Sequence, residues 1–131
     1  MSQYAAPLKD MQFILRHLAG LESIAALPGC GEATPDVVDA ILDEAGKFAG
    51  GVLAPLNRPG DVQGCRLEDG RVTCPDGWRE AYAQYQASGW IGLSLPTEFG
   101  GQDLPKLVST PVWEMWFSAN TAFAMLPQLN V

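Results

Sequence analysis

The chain has 131 residues, enough for one compact domain of ordinary size and for a real hydrophobic core. Eight Lys and Arg stand against fifteen Asp and Glu, a net charge of −7, and no cationic stripe exists to displace counterions from a phosphate backbone, which argues against nucleic-acid binding. Only 18% of residues are charged against 47% hydrophobic, so part of the surface is expected to meet another surface and not water.

The first element is expected from Pro7 to about Ala19. Leu8, Met11, Phe13, Ile14, Leu15 and Leu18 recur at helical spacing, Pro7 suits a first turn, and Gly20 marks the stop. Leu27 to Gly31 reads as a linker punctuated by Pro28 and Gly29. Thr34-Pro35-Asp36 is a clear helix start: a hydroxyl cap, proline in the first turn, and an acid facing the positive end of the helix dipole. The helix that follows carries a wide apolar face, with Val37, Ile41, Ala45 and Phe48 beside Val38, Leu42 and Ala49. Gly50-Gly51 would each cost about 1 kcal/mol in an exposed helix, so a close helix crossing is expected there. Pro55 and Pro59 predict an end near Leu56.

Asn57 to Cys74 reads as loop, with a turn at Pro59-Gly60-Asp61 and a small hairpin around Glu68-Asp69-Gly70. A third helix is expected after Pro75-Asp76-Gly77, with Trp78, Ala81, Tyr82 and Tyr85 on one face and a stop at Ser88-Gly89. Trp90 to Pro96 is too short and glycine-rich for a stable helix, and Thr97 to Asp103 reads as an irregular turn. A last helix from about Pro105 to beyond Ala124 is apolar nearly all round, as a helix buried between layers is. If it starts before Pro111, a kink is expected at that residue. The resulting fold class is all-α, with a small hairpin between the second and third helices.

Candidate chemistry is sparse. The single histidine, His17, falls late in the first helix, where surface exposure or helix capping outweighs a catalytic role. Asp36, Asp39, Asp43 and Glu44 share near-helical spacing, which suits a metal cluster or, more simply, a solvated face; without a second acidic helix the solvated face is favoured. Gly100-Gly101 lacks the spacing of a phosphate loop. Trp113, Trp116, Phe117 and Phe123 read as core before cofactor wall. Cys30, Cys65 and Cys74 form neither a zinc pattern nor a disulfide framework; Cys65 and Cys74 could meet across the hairpin, but free thiols in a reduced, cytoplasmic protein are the simpler reading. The first residues lack the basic and apolar regions of an export signal, and no segment approaches a membrane span.

Ser88-Gly89-Trp90-Ile91-Gly92-Leu93-Ser94-Leu95-Pro96 and the following Thr97-Glu98-Phe99-Gly100-Gly101-Gln102-Asp103-Leu104-Pro105 resemble the G-W-x-x-L-x-x-P-x-x-x-G-G-x-x-L-P signature of the N-terminal helical domain of acyl-CoA dehydrogenases. Ala54-Pro55-Leu56-Asn57 with Gly60-Asp61 resembles the end of that domain's long helix, and Tyr4 to Leu15 an N-terminal extension found in a larger-chain branch of the family. Glu114-Met115-Trp116 and Ser118-Ala119-Asn120 resemble the helix that begins the acyl-pocket wall.

The resemblance implies residues 1–33 as extension and linker and 34–131 as a helical domain incomplete at its C-terminus, a truncated chain whose parent carries a β-domain and a four-helix bundle. It implies FAD as the parent's cofactor, acyl-CoA as its substrate, and homo-oligomers, with the base and most flavin contacts in the later domains. No catalytic, cofactor-binding or metal-binding residue is therefore expected here. Ala124, Met125 and Gln128 match the turn that borders the acyl chain, although simple packing explains them equally well. The missing domains, or self-association through the final helix, are the expected partners; a non-catalytic helical interaction module derived from the same fold is the alternative. Two departures stand out: Gln102-Asp103 puts an acid where relatives usually carry a small residue, and Leu129-Asn130-Val131 ends where relatives continue with a glycine-containing turn into the next helix.

Overall fold

A computed structural model describes residues 4–129, so the departure read at Asn130-Val131 lies outside the described residues. Six α-helices and one hairpin follow in the order α1 (Leu8–His17), α2 (Leu21–Ala25), α3 (Pro35–Phe48), a π-helical turn (Ala49–Leu53), α4 (Ala54–Gln63), β1 (Arg66–Glu68), β2 (Arg71–Thr73), α5 (Trp78–Ala87) and α6 (Lys106–Gln128). Short 3₁₀ turns at Trp90–Gly92 and Thr97–Phe99 interrupt the segment between α5 and α6. The protein is all-α with a two-stranded hairpin.

Local chemistry sets most boundaries. Thr34 caps α3, its hydroxyl accepting from the Val37 amide at 3.4 Å, with Pro35 in the first turn. Gly20, Gly77 and Gly89 each adopt the left-handed conformation at the edge of a helix. Asp69 and Gly70 both have positive φ, as the two-residue turn of a tight hairpin requires, and the strands pair Arg66 with Thr73, Leu67 with Val72 and Glu68 with Arg71.

The long helix does not end near Leu56, and Pro59-Gly60-Asp61 is not a turn. The chain continues helically through both prolines to Gln63. In an α-helix the ring of Pro55 would press on the carbonyl of Gly51. The π turn at Ala49–Leu53 widens the backbone just ahead of Pro55, which then enters α4 in its first turn. Pro55 and Pro59 both lie on the exposed side, where carbonyls left without a donor meet solvent.

The glycines of this region serve a different neighbour from the helix expected. A Cβ on Gly50 would stand 2.9 Å from the carbonyl oxygen of Tyr4, and one on Gly46 would stand 3.2 Å from the Ala6 side chain. The extended segment before α1 therefore lies across the α3–π junction, and Gly51 is left exposed with nothing near it.

α6 is the central element of the core, as its all-round apolarity predicts. Val108, Val112, Met115, Trp116, Ala119 and Phe123 are buried among Val38, Leu42, Phe48 and Leu53. Met11, Leu15 and Leu21 join the same cluster from α1 and α2. Trp116 sits among four aromatic rings, with centroids 5.7 Å from Phe48, 5.5 Å from Tyr85, 5.4 Å from Trp90 and 5.3 Å from Trp113. The exposed large hydrophobics of α6 are Met125 and Leu126, with Leu129 just beyond, while Leu107, Trp113 and Phe117 are half-buried; others include Phe13 and Ile14 on α1, Leu18 at its C-cap, and Leu67 and Val72 on the hairpin.

The kink expected at Pro111 is absent. Helical dihedrals run through Pro111, and the break falls instead at Asn120, with φ −159° and ψ 89°.

Candidate functional site: the final helix and the glycine-rich segment

The segment from Ser88 to Pro105 is a tight double-back of the chain onto itself. The Gln102 amide donates to the Gly92 carbonyl at 2.7 Å, the Leu104 amide to Leu93 at 2.9 Å, and the Asp103 amide to Leu95 at 2.9 Å. The two limbs approach so closely that a Cβ on Gly101 would lie 1.9 Å from the Leu95 carbonyl oxygen. Gly100 turns the chain at φ 80°, and Asp103 holds a positive φ of 53°. Leu93 and Leu104 are buried, and the Trp90 ring meets Trp116 edge-on. The glycines thus let backbone meet backbone and fasten the segment to α6.

Ser94 extends this attachment: its hydroxyl donates to Ser109 at 2.9 Å, and Ser109 donates onward to the Lys106 carbonyl at 3.3 Å. Beside this relay lies a cavity of about 310 Å³ whose walls include Trp90, Ile91, Ser94, Lys106, Trp113 and Gln128. A second hollow of about 650 Å³ lies between α3 and the segment, lined by Val37, Ile41, Glu44, Trp90 and Leu104 among others. A third, of about 960 Å³, opens between α4 and α5 and is lined by Pro55, Arg58, Gly60, Cys65, Trp78 and Ala122 among others.

The three residues expected to border an acyl chain are separated by burial. Ala124 is fully buried in the core, Met125 is half exposed, and Gln128 is exposed at the 310 Å³ cavity. Their backbone is set by Asn120, which by sequence pattern is only one more position of the helix. Asn120 is fully buried; its Nδ2 donates to the Leu53 carbonyl at 3.2 Å, and its Oδ1 accepts from the Phe123 amide at 3.1 Å. The second contact is a helix cap, so α6 breaks and restarts at Asn120, which aims the turn carrying Ala124 to Gln128. The one clue in the sequence is an amide placed between Ala119 and Phe123 in a strongly apolar stretch.

The remaining candidates sit apart from this region. His17 packs its ring on Phe13, with centroids 4.8 Å apart. The α3 carboxylates form a solvated, ion-paired face: Asp39 pairs with Arg16, while Asp43 and Glu44 hold the Lys47 ammonium at 2.6 and 2.7 Å. The hydrogen bonds that Lys47 donates to Asp43 and then to Glu44 raise its pKa. Among the described residues no group of three or more His, Cys, Asp or Glu could hold a metal ion, and no helix is long and apolar enough to cross a membrane. Burial raises the pKa of Tyr85, with Tyr82 adding to it, and burial raises that of Tyr4 beside Glu114, with the Ser118 hydroxyl opposing.

No family model matches the chain. A curated relative does: 3-methylmercaptopropionyl-CoA dehydrogenase of Ruegeria pomeroyi is 41% identical over 127 residues, 97% of this chain. The chain spans 22% of that relative's length. The alignment runs through nearly every element described above and through the Gly89–Pro105 segment, where the close approach of Gly101 to Leu95 leaves no room for a side chain, so the chain is similar to this dehydrogenase over nearly all of its own length.

Proposed function

We propose that this chain is the helical portion of an FAD-dependent acyl-CoA dehydrogenase and that it bounds the acyl site without supplying the catalytic base. The observation that carries this reading is the 41% identity sustained over 97% of the chain. On it, residues 34–131 correspond to the family's helical domain and residues 1–33 to an extension packed on it through Met11 and Leu15.

The residues here do not fit a flavin site of their own. Gly101 is pressed against Leu95, and the amides of Gly100 and Gly101 already donate to the carbonyls of Thr97 and Pro96, so this backbone is not free to cradle a phosphate. FAD, the hydride acceptor in this proposal, is held by the rest of a longer polypeptide. The part left to this chain is shape and exclusion of water. Met125 and Gln128 present one apolar and one amide side chain at the surface of α6, and Ala124 backs them from the core. A dry wall of this kind favours α,β-dehydrogenation by keeping solvent from the reacting carbons.

The test is to express the complete reading frame containing this chain and to titrate the purified protein with acyl-CoA thioesters. The expected result is visible flavin absorbance that bleaches on adding acyl-CoA and not on adding free CoA. A complete frame that binds no flavin, or whose flavin is not bleached by any acyl-CoA, overturns the proposal.

A further inference from the structure

We propose that Cys65 and Cys74 are a dithiol redox site, closed to a cross-strand disulfide by a small-molecule disulfide such as oxidised glutathione. Both thiols are free and exposed. The hairpin turns at Asp69-Gly70 and pairs Glu68 with Arg71, Leu67 with Val72 and Arg66 with Thr73; one further step in that register sets Cys65 opposite Cys74.

The same register is tied again on the far side. The Asp76 amide donates to the Gln63 side-chain oxygen at 2.9 Å, so the two cysteines lie between a paired strand position and a hydrogen-bonded clamp. The pairing type also suits a disulfide. In a two-residue hairpin the pair flanking the turn is hydrogen-bonded and alternate pairs are not, which makes Cys65 and Cys74 a non-hydrogen-bonded pair. Such pairs bring Cα atoms to about 4.5 Å, within the roughly 4.4–6.8 Å that disulfides span. Cys30 precedes α3 and has no place in this register.

The chemistry balances with one oxidant molecule. One cysteine thiolate attacks a sulfur of glutathione disulfide and releases glutathione thiolate; the second cysteine thiolate then attacks the mixed disulfide and releases another. Two cysteine sulfurs are oxidised by two electrons in total, one glutathione disulfide is reduced to two glutathiones, and the two cysteine protons end on them. The closed bond would fasten the hairpin beside the hollow lined by Arg58, Cys65 and Trp78.

The test equilibrates the full chain in glutathione buffers of graded ratio, quenches with an alkylating reagent, and maps the peptides by mass. The expected product is a Cys65–Cys74 cross-linked peptide with Cys30 alkylated. Because folding already holds the two residues together, the thiol–disulfide equilibrium constant should be about tenfold larger in buffer than in concentrated urea. A constant no larger in buffer than in urea, persistent mixed disulfides on both cysteines, or a cross-link that includes Cys30 would overturn the proposal.

Discussion

The side chain of Asn120 donates to the carbonyl of Leu53 across 67 positions of sequence, and the same amide group caps the restart of α6 at Phe123. One buried residue therefore joins the π turn ahead of Pro55 to the turn that carries Ala124, Met125 and Gln128. Replacing it with alanine removes both hydrogen bonds from a buried site. Asn120→Ala should cost about 2–6 kcal/mol in urea unfolding, at roughly 1–3 kcal/mol for each of the two buried groups that lose this partner. Asn120→Asp retains the cap but sets a carboxylate against the Leu53 carbonyl, which raises the folded pKa of the new acid. The variant should be most stable in acid, where the protonated group can donate, and lose stability as pH rises through that pKa. An Asn120→Asp stability indifferent to pH would contradict this geometry.

The glycine pair offers a comparison of neighbouring positions. Gly101 has the Leu95 carbonyl where its Cβ would be, whereas Gly100 faces open space at φ 80°. Gly101→Ala must separate the two limbs of the segment and should cost about 3 kcal/mol or more. Gly100→Ala meets only the left-handed backbone penalty, about 1 kcal/mol. Urea midpoints of the two variants check the order, and equal losses would refute the close backbone packing.

Tyr85 makes stability depend on alkaline pH. Its ring is fully buried, its hydroxyl has no hydrogen-bond partner among the described residues, and burial raises its pKa above the ordinary 10.0. The folded state resists ionisation that the unfolded state accepts, so this contribution is fully present below pH 10 and is lost as pH rises toward the folded value. Tyr85→Phe removes an unpaired hydroxyl and should be neutral, or stabilising by up to about 1 kcal/mol, near neutral pH. It should also flatten the alkaline loss, leaving the smaller part that comes from Tyr4. Thermal unfolding of both proteins from neutral to alkaline pH measures the difference.

What the sequence made legible was mostly local. Thr34-Pro35-Asp36 starts a helix because a hydroxyl, a fixed φ and a charge all act within one turn. Asp69-Gly70 announces the hairpin because its turn needs positive φ at both positions. Pro55 misled because a π turn precedes it, which nothing in Ala49–Leu53 advertises, and Pro59 because it lies inside α4 on the exposed side. Gly50 signalled a close approach, yet only the folded chain identifies Tyr4 as the partner. The Gly89–Pro105 signature carries its resemblance to acyl-CoA dehydrogenases in residues that serve packing, while Asn120, which aims the candidate wall, looks like one more helical position until Leu53 is brought beside it.

Met125 and Ala124 separate the proposed role in the acyl pocket from a role in folding. Met125 is half exposed and Ala124 has no accessible surface, although the two are adjacent. If the proposed function holds, Met125→Trp in the protein expressed from the complete reading frame should leave the unfolding midpoint nearly unchanged and narrow the acyl site. The ratio of kcat/KM for long over short acyl-CoA thioesters should then fall about tenfold, the discrimination a pocket gains from a few displaced methylenes. Ala124→Leu forces three extra carbons into the packed core and should cost about 1–3 kcal/mol of stability. The same chain-length ratio in Met125→Trp and in the unsubstituted enzyme would remove Met125 from the acyl wall and leave this turn of α6 a packing element.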